Sequence, residues 1–263
     1  FGFLGYFGKV GYQLGYTPLT LQIARFLLAA LMFWVVALPR GLARYRVGRR
    51  ELIGLAAQGV GYAMTALGYF SALRYLPASL VAIIFYIHPV ITTLAAAGIF
   101  GEKITRAKVI ALLLALVGTT LVSDPRALLS GSLSLVGLAW VMVSSCSYST
   151  FTILGQKTTA GRDPLMVTTY SMTFCGLFLA LFHPPLYMIN GSLTLPMWGI
   201  ALGISFICSV LAILFYVVGV SIIGASRTSI VAAAEPLSGL IVSALLLGER
   251  LGGWQWLGMA LIL

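Results

Sequence analysis

Two ionisable residues stand beside prolines deep inside apolar runs, Glu235-Pro236 and His88-Pro89. A carboxylate at mid-depth in a lipid bilayer is costly, and it is kept where it faces a bundle interior or a cavity. Such a group can hold a cationic substrate group or exchange a proton. A hydrogen-bonded glutamate that only packs two helices is the plainer alternative. Histidine titrates near neutrality, so His88 could serve the same chemistry or be a satisfied structural residue. Each proline removes a backbone donor and loosens the turn before it; Pro236 leaves the carbonyl of Ala232 free. Lys9 and Arg25 offer cations to a substrate carboxylate. Both could instead snorkel to the interface, although Arg25, about two turns into its run, is better placed for an internal partner. With Glu235 they would form an amphoteric centre suited to an amino acid.

Polar side chains recur around these groups. Gln58, Tyr62, Thr65 and Tyr69 share one helical face. Ser205, Ser209, Ala212 and Tyr216 hold the corresponding positions in a later run, and Trp140, Ser144, Ser147 and Tyr148 mark another. Such stripes line a water-filled path or bind helices together in lipid. Glu102 and Glu249 each follow a glycine at the end of a run. There glycine suits a helix C-terminus and glutamate the next N-terminus.

These residues must be positioned by helices. The 263 residues are 60% hydrophobic and only 8% charged, with a mean hydropathy of +1.03. A soluble domain carries about 25% charged residues, so lipid must cover this surface. The apolar runs read as ten helices near 1–15, 18–39, 51–74, 78–100, 104–123, 132–157, 164–189, 196–220, 225–247 and 251–263. The expected class is an all-α integral membrane protein with short connections and truncated terminal helices. No cleavable signal peptide is expected, and the ends read as trimmed.

The net charge of +10 does not indicate nucleic acid, because the basic residues cluster in short connections. One side of the expected membrane holds Arg40, Arg44, Arg46, Arg49, Arg50, Lys103, Arg106, Lys108, Lys157, Arg162 and Arg227. The other holds Arg74, Arg126 and Arg250. The positive-inside rule places the first side, and with it both termini, in the cytoplasm. Cys146, Cys175 and Cys208 fall inside apolar runs and read as buried free thiols. The aspartates Asp124 and Asp163 lie in loops, and no phosphate-binding loop, HExxH or intramembrane aspartate pair is present. The sequence therefore calls for no metal and no cofactor.

An internal repeat organises the rest. At a constant offset of 147, Ala78-Ser79 meets Ala225-Ser226, His88-Pro89 meets Glu235-Pro236, and Gly101-Glu102 meets Gly248-Glu249. Tyr69 meets Tyr216 at the same offset, and Pro18 matches Pro164 after a one-residue adjustment. Five helices per repeat is an odd number, so the second half must insert upside down. The expected units are residues 1–123 and 132–263. Inverted repeats of this kind place a substrate site near the midplane between the halves and support alternating access. Pro89 and Pro236 would then mark gating helices.

The paired segments PASLVAIIFYIHPVITTLAAAGIFGE and GASRTSIVAAAEPLSGLIVSALLLGE resemble the two EamA-type repeats of the drug/metabolite transporter superfamily. LTLQIARFLLAAL, around Arg25, resembles the second helix of that repeat. The resemblance implies a ten-helix carrier with a central cavity, often an exporter of amino acids or related metabolites, in a bacterial inner membrane. Ser171 stands near the counterpart of Arg25, so the halves differ in their polar residues. Candidate cavity residues are Lys9, Arg25, Gln58, Tyr62, Tyr69, His88, Trp140, Ser144, Tyr148, Ser209, Tyr216 and Glu235. The expected partners are a small-molecule substrate and the lipid bilayer, and the residues are compatible with either proton-coupled or facilitative transport. A nucleotide-sugar or sugar-phosphate carrier would call for more cavity cations, and a lipid-modifying enzyme for a nucleophile or metal cluster.

Overall fold

The computed structural model describes residues 1–41, 45–123, 134–248 and 252–263. Ten spans can be followed through them. The first five are α1 (Leu4–Gln13), α2 (Pro18–Ala37), α3 (Arg49–Ala72), a divided fourth span of α4 (Ala78–Phe85) and α5 (His88–Phe100), and α6 (Arg106–Val122). The second five begin with α7 (Leu135–Thr158) and α8 (Pro164–Ala180). An eighth span joins α9 (Leu195–Ser205) to α10 (Ala212–Ile223) through a π-helical stretch, Phe206–Leu211. The ninth span is divided into α11 (Ala225–Ala232) and α12 (Glu235–Leu247), and α13 (Gly253–Ile262) is the tenth. The chain is thus an all-α membrane protein of two inverted five-span repeats.

Local chemistry fixes the starts and stops. Thr17 caps α2 with Pro18 in its first turn, and Asp163 caps α8 with Pro164 in the same place. The seventh helix, expected to reach 189, stops at Ala180. Pro184 and Pro185 lie beyond it and cannot continue a helical ladder; a short 3-10 turn, Pro185–Met188, follows. Both broken spans divide at equivalent residues. Pro89 and Pro236 sit in the first turn of α5 and α12, and the breaks fall at Tyr86-Ile87 and Ala233-Ala234. Each second segment ends on a left-handed glycine, Gly101 at φ 68° and Gly248 at φ 66°. Glu249, Arg250, Arg44, Asp124 and Arg126 lie outside the described residues.

The halves interlock. Span two packs on span seven, four on nine, and five on ten, each with its own repeat partner. Other contacts come in exchanged pairs: three with six and eight with one, three with seven and eight with two, four with six and nine with one. Small residues permit the closest approaches, as expected where lipid gives no hydrophobic drive. A Cβ at Gly68 would come within 2.8 Å of Trp140 O, and Ser144 Oγ donates to Thr65 O at 2.7 Å in the same crossing. Gly59 meets the backbone of Ser171, and Gly118 meets Gly258 where α6 crosses α13. Gly68→Val is therefore expected to cost about 1–3 kcal/mol through overpacking. The measurement is the unfolding midpoint of the detergent-purified protein; an unchanged midpoint would show slack in the crossing. Of the three cysteines, Cys175 and Cys208 are buried as expected, but Cys146 is exposed. It shares an exposed strip of α7 with Val143 and Thr150.

Candidate functional site

Between the halves lies a cavity of about 520 Å³. Spans one, two, three, four, six, eight and nine all contribute to its wall. Lys9, Arg25, Tyr62, Tyr69, Tyr148 and Glu235 line it, together with Tyr12, Gln22, Thr65, Phe85 and Tyr86.

Arg25 is buried and held across the repeat interface rather than snorkelling to the membrane surface. Its Nε donates to Ser209 Oγ at 2.7 Å and its Nη2 to Cys208 O at 2.7 Å, both in the π-helical stretch of span eight. Its Nη1 donates to Gln22 Oε1 at 3.2 Å, one turn away on α2. A guanidinium has five N–H donors in a fixed fork, so these contacts orient the group without exhausting it. The Phe26 ring lies 4.7 Å from its Cζ, and the Tyr62 hydroxyl also approaches it.

Glu235 is the first residue of α12, at the break of span nine, and it is half-buried. The start of a helix favours an anion through its unpaired amides and its dipole. The Tyr86 hydroxyl, from the break in span four, reaches the Glu235 carboxylate. Lys9 adds a second cation from α1. The cavity therefore combines two cations and one carboxylate with a wall of rings. Tyr69 and Phe85 meet edge to face at 5.5 Å, Phe85 and Tyr148 at 5.6 Å, and Tyr62 lies 6.1 Å from Tyr148.

The other candidates stand behind this wall. His88 is buried, with its ring 4.5 Å from Tyr148 and 5.0 Å from Phe85. Its carbonyl accepts from Thr92 and Ser149, while its Nδ1 is without a protein partner among the described residues. Gln58 is fully buried and accepts from Thr158 Oγ1 at 2.8 Å, nearer the basic end. Ser144 and Trp140 form the crossing with α3, and Ser209 acts by holding Arg25. Tyr216 shares a 2.8 Å hydrogen bond with Thr152 and packs 5.6 Å from Tyr148. Pro89 and Pro236 shape the breaks without lining the cavity. Ser145 Oγ lies 3.1 Å from Phe85 O, 3.3 Å from Ile84 O and 3.0 Å from Val141 O, so its one O–H is within reach of the carbonyl that Pro89 leaves without a donor. Gln22 shares a helical face with Arg25 at three-residue spacing, a signal that could have identified it; Tyr86 had none.

One end is shut. At the end carrying most of the basic loops, Gln156 Oε1 accepts from the Ala225 amide at 2.6 Å, and Gln156 Nε2 donates to Glu102 at 3.3 Å. Lys108 pairs with Glu102 at 2.9 Å. Ser226 Oγ donates to Thr93 Oγ1 at 3.1 Å, joining α11 to α5. Tyr12, Leu21, Gln22, Tyr69 and Phe70 lie toward the opposite end, where the cavity extends.

The EamA-like transporter family model matches residues 1–124 and 135–263. A transporter of Archaeoglobus fulgidus, described as uncharacterized, is 27% identical over 82% of this chain and 76% of its own length. The uncharacterized transporter YyaM of Bacillus subtilis is 25% identical over 98% of this chain and 86% of its own. A solved crystal structure shares the fold at a TM-score of 0.81 and 17% identity, over 99% of this chain and 89% of that one.

Proposed function

We propose that this chain, which belongs to the EamA-like transporter family, is a secondary carrier that exports amino acids or similar small zwitterions across the inner membrane by alternating access. The single observation that carries the reading is the cavity between the halves, in which Arg25 is fixed on one wall and Glu235, beside the Tyr86 hydroxyl, stands at a helix break on another. Arg25 receives the substrate carboxylate, and Glu235 receives its ammonium group. The tyrosine and phenylalanine wall accommodates the side chain. Glu235 is also the one carboxylate in the cavity wall among the described residues, so a proton can replace the ammonium there and drive the return step. The excess of basic residues in the loops at the shut end supports a cytoplasmic position for that end and for both termini. The divided spans four and nine, broken ahead of Pro89 and Pro236, are the gating elements.

The test is flux through the full-length protein in proteoliposomes, with amino acids and nucleotide-sugars offered in parallel, with and without a pH gradient. Amino-acid flux that responds to the gradient is expected. Flux of the nucleotide-sugar alone would replace this reading with a phosphate-recognising carrier.

A further inference from the structure

A second recess, of about 610 Å³, lies at the basic end and shares no residue with the central cavity. Glu102, Lys103 and Thr105 reach it from the connection before α6, Lys108 from α6 itself, and Ile223 and Arg227 from either side of the turn that joins α10 to α11. It therefore draws on both halves. Lys108 pairs with Glu102 at 2.9 Å. Lys103 and Arg227 are exposed and have no acidic partner among the described residues. Helix stability does not account for these cations. Lys108 stands in the first turn of α6 and Arg227 in that of α11, with no acidic residue in either turn, where the helix dipole disfavours positive charge. Nor does the repeat require them. At the offset of 147, Lys108 corresponds to Gln255 and Arg227 to Leu80. Gln255 Oε1 accepts from the Gly252 amide at 2.9 Å, and Leu80 is buried in an apolar cluster. The cationic recess is thus particular to one end.

We propose that this recess holds the phosphate of an anionic phospholipid from the leaflet at the basic end, with Lys103, Lys108 and Arg227 around the headgroup. The planar fork of Arg227 can address two phosphate oxygens at once, while the lysines act as point charges. A lipid suits the recess better than a soluble phosphate compound because its wall continues into lipid-facing surface. Ala107 lines the recess, and Ile110 and Leu114 follow it on the same face of α6, 57% and 41% exposed. An acyl chain can run down that face while the headgroup stays among the cations. The bound lipid joins α6 of the first half to α11 of the second, beside the Glu102 carboxylate that accepts from Gln156.

The test is lipid retention by the purified full-length protein. It is titrated in a neutral detergent with phosphatidylglycerol or with phosphatidylcholine of the same acyl chains, and bound lipid is counted by native mass spectrometry. The parent protein should retain phosphatidylglycerol in preference to phosphatidylcholine. Lys103→Gln with Arg227→Gln should weaken that retention about 30-fold, since each cation near an anionic lipid contributes about a factor of five. Arg40→Gln with Arg46→Gln removes two exposed cations from another connection at the same end and should leave retention unchanged. Retention that is equal in the parent and the Lys103/Arg227 variant, or that falls equally in both variants, would overturn the proposal, because diffuse charge attraction would then account for it. A third arm offers glycerol 3-phosphate as competitor. Displacement of the lipid by this soluble phosphate at comparable concentration would overturn the assignment to a lipid. No transported solute is present, so the result stands apart from the carrier reading.

Discussion

Arg25→Ala is expected to weaken binding of carboxylate-bearing solutes about 100-fold. Truncating one partner of a buried, hydrogen-bonded charge pair costs about 2–5 kcal/mol, and about 1.4 kcal/mol corresponds to a factor of ten. The same change strands Ser209 Oγ, Cys208 O and Gln22 Oε1, which Arg25 satisfies across the interface. Each stranded group costs about 1–3 kcal/mol unless water enters, so the unfolding midpoint should fall as well. Arg25→Lys separates the two effects. It keeps the positive charge but cannot reproduce a planar fork that addresses three acceptors at once. Affinity should therefore remain well below that of the parent protein. Titration of the purified protein with a zwitterion and with the corresponding amine checks this: the zwitterion should lose affinity and the amine should not. Equal loss for both solutes would remove Arg25 from the role of carboxylate receptor.

Glu235→Gln is the second large effect. The substitution keeps the shape and the contact with Tyr86 but removes the charge. Flux of zwitterions should fall about 10–100-fold, in line with about 1.5–3 kcal/mol for a hydrogen bond to a charged group. The remaining flux should no longer respond to a pH gradient, because no cavity carboxylate is left to carry the proton. A glutamine variant that retains the gradient response would make Glu235 a packing residue and move coupling elsewhere.

Much of the architecture is legible in the sequence because lipid imposes simple rules. Low charge, ten apolar runs and a repeat at offset 147 fix the class, the span number and the inversion. Pro89 and Pro236 forecast the broken spans, and the break falls ahead of each proline because its ring disturbs the turn before it. The charged members of the site, Lys9, Arg25 and Glu235, follow from the cost of charge in lipid. What could not be read is set by the rotation of each helix about its axis and by contacts between halves. His88 and Glu235 occupy equivalent positions, yet His88 is sealed behind Phe85 and Tyr148 while Glu235 faces the cavity. That difference arises from the packed basic end and the open opposite end, which a symmetric repeat cannot reveal. The Arg25–Ser209 contact spans 184 residues and depends on a π-helical stretch with no sequence signature. An arginine in the equivalent second-half position would find no room, because Gly59 lies against the Ser171 backbone.

In the proposed mechanism one solute bridges Arg25 and Glu235. The most direct measurement is binding of three related solutes to the purified full-length protein: an amino acid, its amide, which lacks the carboxylate, and its N-acetyl form, which lacks the ammonium. The amino acid is expected to bind, and each one-charge analogue to bind at least about 30-fold more weakly, the equivalent of about 2 kcal/mol for each lost charge contact. Equal affinity for all three would contradict it.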